Sequence, residues 1–165
     1  MKILTADQLF GLMNEWGKQT KPFVFLIDAF ASKGIVEEKD QSGNHILYKT
    51  HLHSNAPNVV HLSKLNMWDI HPVSFHSYYG GFNRVITHIQ RGDSFLLNYT
   101  QPTRVETNLT LEELFYTSQA RYKVHLKGVF TCFSPETFVT ISNEGIIASY
   151  PMKGTAGVAT HSAEQ

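Results

Sequence analysis

A single cysteine, Cys132, stands in the chain, so no disulfide can form within it. Neither charge is in excess: fourteen Lys and Arg residues balance fourteen Asp and Glu. That balance removes the electrostatic reason to expect nucleic acid or an anionic membrane as a partner. There is no apolar run long enough to span a bilayer. The first residues, Met1-Lys2-Ile3-Leu4-Thr5-Ala6-Asp7-Gln8, become polar too early for a secretory signal, and a cytoplasmic location is expected. Repeats, low-complexity tracts and linkers are also lacking, so the 165 residues are expected to form one domain. What is present is core material: 42% of the residues are hydrophobic and 12% aromatic. Cys132 lies in a strand-like run between Phe130 and Ser134, where a small buried hydrophobe is expected rather than a nucleophile.

Thr5-Ala6-Asp7-Gln8 is a capping-box pattern, followed by Leu9, Leu12, Met13 and Trp16 at helical spacing up to Gly17. Phe23-Val24-Phe25-Leu26-Ile27 is a continuous apolar run, too short for a typical helix, which predicts a strand buried on both faces. Ser42-Gly43-Asn44 marks a turn and Asn55-Ala56-Pro57-Asn58 a loop, with strands expected at Ile46–Leu52 and Val59–Leu62. From Tyr78 to Arg91, Phe82, Val85, Ile86 and Ile89 form the apolar stripe of a helix with one buried face, ended by Gly92. Ser94–Thr100 reads as a strand, Thr110-Leu111-Glu112-Glu113 as a second capping box, and Tyr122–Phe133 as one extended strand interrupted at Gly128.

The nine histidines invite a metal reading, above all His51 and His53, which would share one face of a strand. No third ligand stands at usable spacing, so no metal site is expected there. Asp28, after the first apolar run, is read as a turn or cap residue. The strongest constellation lies near the C-terminus. Val139-Thr140-Ile141-Ser142 and Ile146-Ile147-Ala148-Ser149 are β-branched runs about the Asn143-Glu144-Gly145 turn, and so predict a hairpin. If Glu144-Gly145 is its two-residue loop, Asn143 opposes Ile146 and, along the ladder, Glu136 opposes Lys153 on the same face. A neutral lysine is a nucleophile and a protonated glutamate a general acid; an ordinary cross-strand ion pair is the alternative.

Ser134-Pro135-Glu136, followed seventeen residues after the glutamate by the lysine of Pro151-Met152-Lys153-Gly154-Thr155, resembles the paired motifs of the chorismate-binding enzyme family. Gly92-Asp93-Ser94-Phe95-Leu96-Leu97-Asn98 is similar to that family's Gly-Asp-x-Tyr-x-x-Asn strand after a helix. The resemblance implies an α+β fold with a largely antiparallel sheet flanked by helices. It also implies that this chain is a partial domain, the N-terminal portion of a longer one. Lysine in the second motif resembles aminodeoxychorismate synthase component I, where anthranilate synthases carry alanine. Lys153 would then be the nucleophile toward C2 of chorismate, Glu136 the acid for the C4 hydroxyl, and Gly154 and Thr155 substrate-binding residues.

The further implied partners are Mg²⁺, with ligands expected outside this chain and none bound by the chain alone, and a glutaminase subunit supplying ammonia. Leu96 stands where the family has glutamine, or the lysine of the water-adding branch, so a hydrolytic isochorismate reading loses its base. The family's tryptophan-feedback segment is replaced around Ala120-Arg121-Tyr122. Two alternatives stand beside an aminating enzyme: an anthranilate synthase-like protein, and a non-catalytic remnant serving as an assembly surface. A half domain would expose apolar surface, so self-association is expected of the isolated chain.

Overall fold

Thr5 both closes the first strand and starts the first helix: its amide donates to the Gln8 side chain at 3.2 Å, completing the capping box read from the sequence. The computed structural model describes residues 1–58, 61–135, 137–142 and 144–150. In chain order its elements are β1 (Leu4–Thr5), α1 (Ala6–Lys18), β2 (Phe23–Ile27), β3 (Lys33–Glu38), β4 (Ile46–Lys49), β5 (Trp68–His71) and α2 (Phe75–Gln90). They continue with β6 (Arg104–Thr107), α3 (Leu111–Thr117), β7 (Lys123–Leu126), β8 (Phe130–Phe133), β9 (Val139–Ile141) and β10 (Ile147–Ser149). Every ladder among the described residues is antiparallel. The class is α+β, as the sequence implies. No helix among the described residues is long and apolar enough to cross a membrane. Two compact units are distinguished: Met1–Pro57 with the chain from Ser118 onward, and Asn58–Thr117.

In the first unit, β1, β3 and β2 form a sheet in that order. Its inner face buries Leu4 and Val36 against Leu9 of α1, with Leu12, Met13 and Trp16 packed around them. Gly34 permits that approach, because a Cβ there would meet the Leu26 carbonyl oxygen and would lie 2.6 Å from Leu9 Cδ2. The other face buries Ile35 against Ile46 and Leu126 of a second sheet, ordered β4-β7-β8. β2 is half-buried rather than buried on both faces as expected: it is a sheet edge, and although Phe23 and Ile27 pack against the α1 cluster, Phe25 is 46% exposed. Asp28 is the turn residue anticipated, accepting from Ser32 N at 2.7 Å, Ser32 Oγ at 2.6 Å and Lys33 N at 3.2 Å. These bonds, the Ser32 hydroxyl foremost, hold its carboxyl below the usual range.

Tyr122–Phe133 is not one interrupted strand but a hairpin. Gly128, at φ 72°, sits at the tight turn between β7 and β8, where Val129 N donates to Leu126 O at 3.0 Å. Cys132 is exposed rather than buried, on the edge strand β8. β4 stops at Lys49, short of the predicted Leu52, because Thr50 turns the chain: its hydroxyl accepts from His53 N at 2.9 Å and its amide donates to His53 O at 2.8 Å. His51 and His53 therefore do not share a strand face. Of the strand expected at Val59–Leu62, Val59 and Val60 lie outside the described residues, and His61 and Leu62 are in no strand.

In the second unit, β5 and β6 pair as a two-stranded ribbon that the sequence did not announce. α2 runs to Gln90 with Gly92 at φ 80° beyond it, as predicted, but none of its residues is buried. The second capping box forms: Glu113 N donates to Thr110 Oγ1 at 3.1 Å, and Thr110 N donates to Glu113 Oε2 at 2.8 Å. Hydrogen bonds from Ser63 first and Thr110 next hold the Glu113 carboxyl down at about 2. The segment 94–100, predicted as a strand, joins no ladder among the described residues, since no neighbouring strand is there to pair with it.

Candidate functional site

The predicted hairpin is present as β9 and β10, but its loop is one residue longer than expected. Ile141 pairs with Ile147, Thr140 with Ala148 and Val139 with Ser149, and Ser142 N donates to Ile146 O at 2.9 Å. Glu144 and Gly145 lie in the loop, with Gly145 at φ 78° as its left-handed residue. Ser142 decides this length. Its hydroxyl accepts from both Glu144 N and Ile146 N at 3.2 Å, giving the chain a closed turn in place of the two-residue alternative. The same hydroxyl leads the hydrogen bonds that lower the Glu144 carboxyl below its ordinary range.

At the open end of the hairpin, Tyr150 N donates to Phe138 O at 3.0 Å. In the sequence, Phe138 lies two residues after Glu136 and Tyr150 three before Lys153. Glu136, Lys153, Gly154 and Thr155 themselves lie outside the described residues. The direct opposition of Glu136 and Lys153 was inferred from a two-residue loop, and the described ladder has a different register.

Beside this mouth is an open cavity of about 690 Å³, whose lining includes His51, Arg121, Tyr122, Thr137, Glu144 and Tyr150. Its size lies within the range of small-molecule sites. Tyr122 ties the wall together. Its hydroxyl accepts from Thr137 Oγ1 at 3.1 Å and hydrogen-bonds His51 Nδ1 at 2.8 Å, while its carbonyl accepts from Ser134 N at 2.8 Å. The His51 and Tyr122 rings meet edge to face, with centroids 5.6 Å apart. Sequence reasoning weighed His51 only as a metal ligand and missed this partnership, which spans seventy-one residues and leaves no mark in local spacing.

Lys123, next along β7, is buried; its Nζ donates to Ser118 O at 2.8 Å. Burial, with Lys49 opposite it in the ladder, lowers its pKa. No group of three or more His, Cys, Asp or Glu side chains among the described residues could hold a metal ion. The described residues thus supply no donor set for the Mg²⁺ that the family resemblance implies.

The model of the family described as chorismate binding enzyme matches residues 24–165. An uncharacterised PabA-like protein of Haemophilus influenzae is 38% identical over 160 residues, which is 97% of this chain and 48% of that protein. A second, from Pasteurella multocida, is 36% identical over 154 residues, covering 92% of this chain and 47% of its own length. The chain spans about half the length of these curated relatives. No solved structure matches it. By its motifs and by the match over residues 24–165, the chain belongs to the chorismate binding enzyme family.

Proposed function

We propose that this chain contributes the nucleophile and the general acid of an enzyme that aminates chorismate to 4-amino-4-deoxychorismate. One observation supports the reading: Phe138 and Tyr150, hydrogen-bonded across the open end of a single antiparallel hairpin, follow and precede in sequence two motifs, one with a glutamate and one with a lysine rather than an alanine. In this reading the neutral amine of Lys153 attacks C2 of chorismate. The ring double bonds shift, the C4–O bond breaks, and the hydroxyl leaves as water with the proton of Glu136. The new C2 nitrogen then returns a proton to Glu136. Ammonia attacks C4, the double bonds shift back, and Glu136 protonates the departing lysine nitrogen. The carboxylate finally takes a proton from the C4 ammonium, and both side chains are regenerated. Gly154 allows close approach of the backbone to substrate, and the Thr155 hydroxyl is suited to a carboxylate. A glutaminase subunit is the proposed source of ammonia.

The test is Lys153→Ala in a chain of the relatives' length, assayed with chorismate, ammonia and Mg²⁺. Aminodeoxychorismate should disappear, with residual amination shifted to C2 and hence to anthranilate, because the smaller side chain lets ammonia approach that carbon. Undiminished aminodeoxychorismate from the alanine variant would refute the assignment of the nucleophile.

A further inference from the structure

Away from the hairpin, the first unit has a small cleft of about 180 Å³, whose lining includes Trp16, Val36, Glu37, Gln41, Asn44 and His45. These residues come from the end of α1, the end of β3 and the 3₁₀ turn Ser42–Asn44 with the histidine that follows it. The turn is held from several sides. Gln41 N donates to Glu38 O at 2.9 Å and His45 N to Ser42 O at 3.1 Å. Ser42 is fully buried, its Oγ donating to Lys39 O at 2.8 Å and accepting from Asn55 Nδ2 at 2.8 Å, while the same amide reaches Ile46 O at 2.7 Å. The wall of the cleft is therefore preformed.

Glu37 is the group this wall encloses, with its side chain only 14% exposed. His45 Nδ1 lies 2.6 Å from Glu37 Oε1, and since a carboxylate only accepts, the imidazole is the donor. Oε2 is buried and has no hydrogen-bond partner. A buried carboxylate oxygen without a donor carries a desolvation penalty that a donor from a ligand would remove. The adjacent glutamate shows which donor suits the place. Lys21 Nζ lies 2.5 Å from Glu38 Oε1 and 4.7 Å from the centroid of the Trp16 ring, so an ammonium already rests between a carboxylate and an indole face. Lys21 balances Glu38; no Lys or Arg among the described residues pairs with the more buried Glu37.

We propose that this cleft binds a primary ammonium group on a short apolar stem, as in a small alkylamine. The ammonium donates to Glu37 Oε2, the side-chain amides of Gln41 and Asn44 offer acceptor oxygens at the rim, and Val36 and Trp16 border the stem. A metal ion is a poorer occupant, because the described residues bring no three His, Cys, Asp or Glu side chains together there. The inference is independent of the chemistry assigned to Lys153.

The experiment titrates this chain with ethylammonium chloride at constant ionic strength and follows the Trp16 indole and His45 imidazole resonances by NMR. Saturable shifts in the millimolar range are expected, as for a ligand of so few atoms. Ammonium chloride should give the same shifts several-fold more weakly, since it lacks the stem. Tetramethylammonium chloride, which has the charge but no N–H, should give none. Glu37→Gln should weaken ethylammonium binding by about tenfold or more, whereas Glu112→Gln, at an exposed carboxylate of the other unit, should leave it unchanged. Equal shifts from tetramethylammonium would overturn the proposal by showing that charge alone is sensed. The absence of saturable shifts in the unaltered chain would overturn it as well, identifying the partner of Oε2 as water only, and that measurement does not depend on any variant folding.

Discussion

Replacing Tyr122 by phenylalanine deletes one oxygen atom and keeps the ring with its edge-to-face contact to His51. The lost oxygen is the partner of Thr137 Oγ1 at 3.1 Å and of His51 Nδ1 at 2.8 Å. A neutral hydrogen bond contributes about 0.5–1.5 kcal/mol net, and the exposed His51 bond belongs at the low end, so the pair together contributes about 1–2 kcal/mol. The backbone bond from Ser134 N to Tyr122 O is untouched, as is the β7 ladder. The loss should therefore appear as easier opening of the hairpin mouth, by a factor of about ten, rather than as global unfolding. Hydrogen exchange reads this directly: the Tyr150 amide, bonded to Phe138 O, should exchange about tenfold faster in Tyr122→Phe while the protected amides of β3 keep their rates. An unchanged Tyr150 rate would refute the idea that Tyr122 clamps the mouth. An equal acceleration in β3 would show that Tyr122 stabilises the whole unit instead.

Gly34→Ala should destabilise the first unit by about 1–3 kcal/mol, because the added methyl meets the Leu26 carbonyl and Leu9. Urea denaturation followed by circular dichroism checks this, and Leu9→Ala in the same chain should relieve only the side-chain part of the clash. Lys123 carries a pKa depressed by burial and by Lys49, so its protonated form costs stability below the folded value, and that cost fades as pH rises toward the ordinary lysine value of 10.5. Between neutrality and pH about 10.5 the wild-type urea midpoint should therefore rise relative to that of Lys123→Met; parallel profiles for the two proteins would contradict it.

Local chemistry was legible wherever it was self-contained. Both capping boxes, the stop at Gly92, the Asp28 turn and the existence of the β9–β10 hairpin follow from residues within a few positions of one another, and the structure has them. The family was equally legible, because its motifs are short and contiguous. Partnership was not. Whether Phe25 or Cys132 is covered depends on which strands lie at sheet edges, and strand order is set by pairings between residues distant in sequence, such as β4 with β7.

The hairpin register shows the same division at its finest. Alternating β-branched residues specify two strands and glycine specifies a turn, but the choice between two and three loop residues was made by the Ser142 hydroxyl and the amides it accepts. Likewise the sequence of Ser94–Thr100 encodes a strand's composition, while a strand is a hydrogen-bonded object that exists only where a neighbour supplies the other half of each bond. The sequence alone determined the helices, the self-contained turns at Asp28 and Gly145 and the family; tertiary structure decided burial, register and the wall of the cavity, because each depends on where a second, distant segment comes to lie.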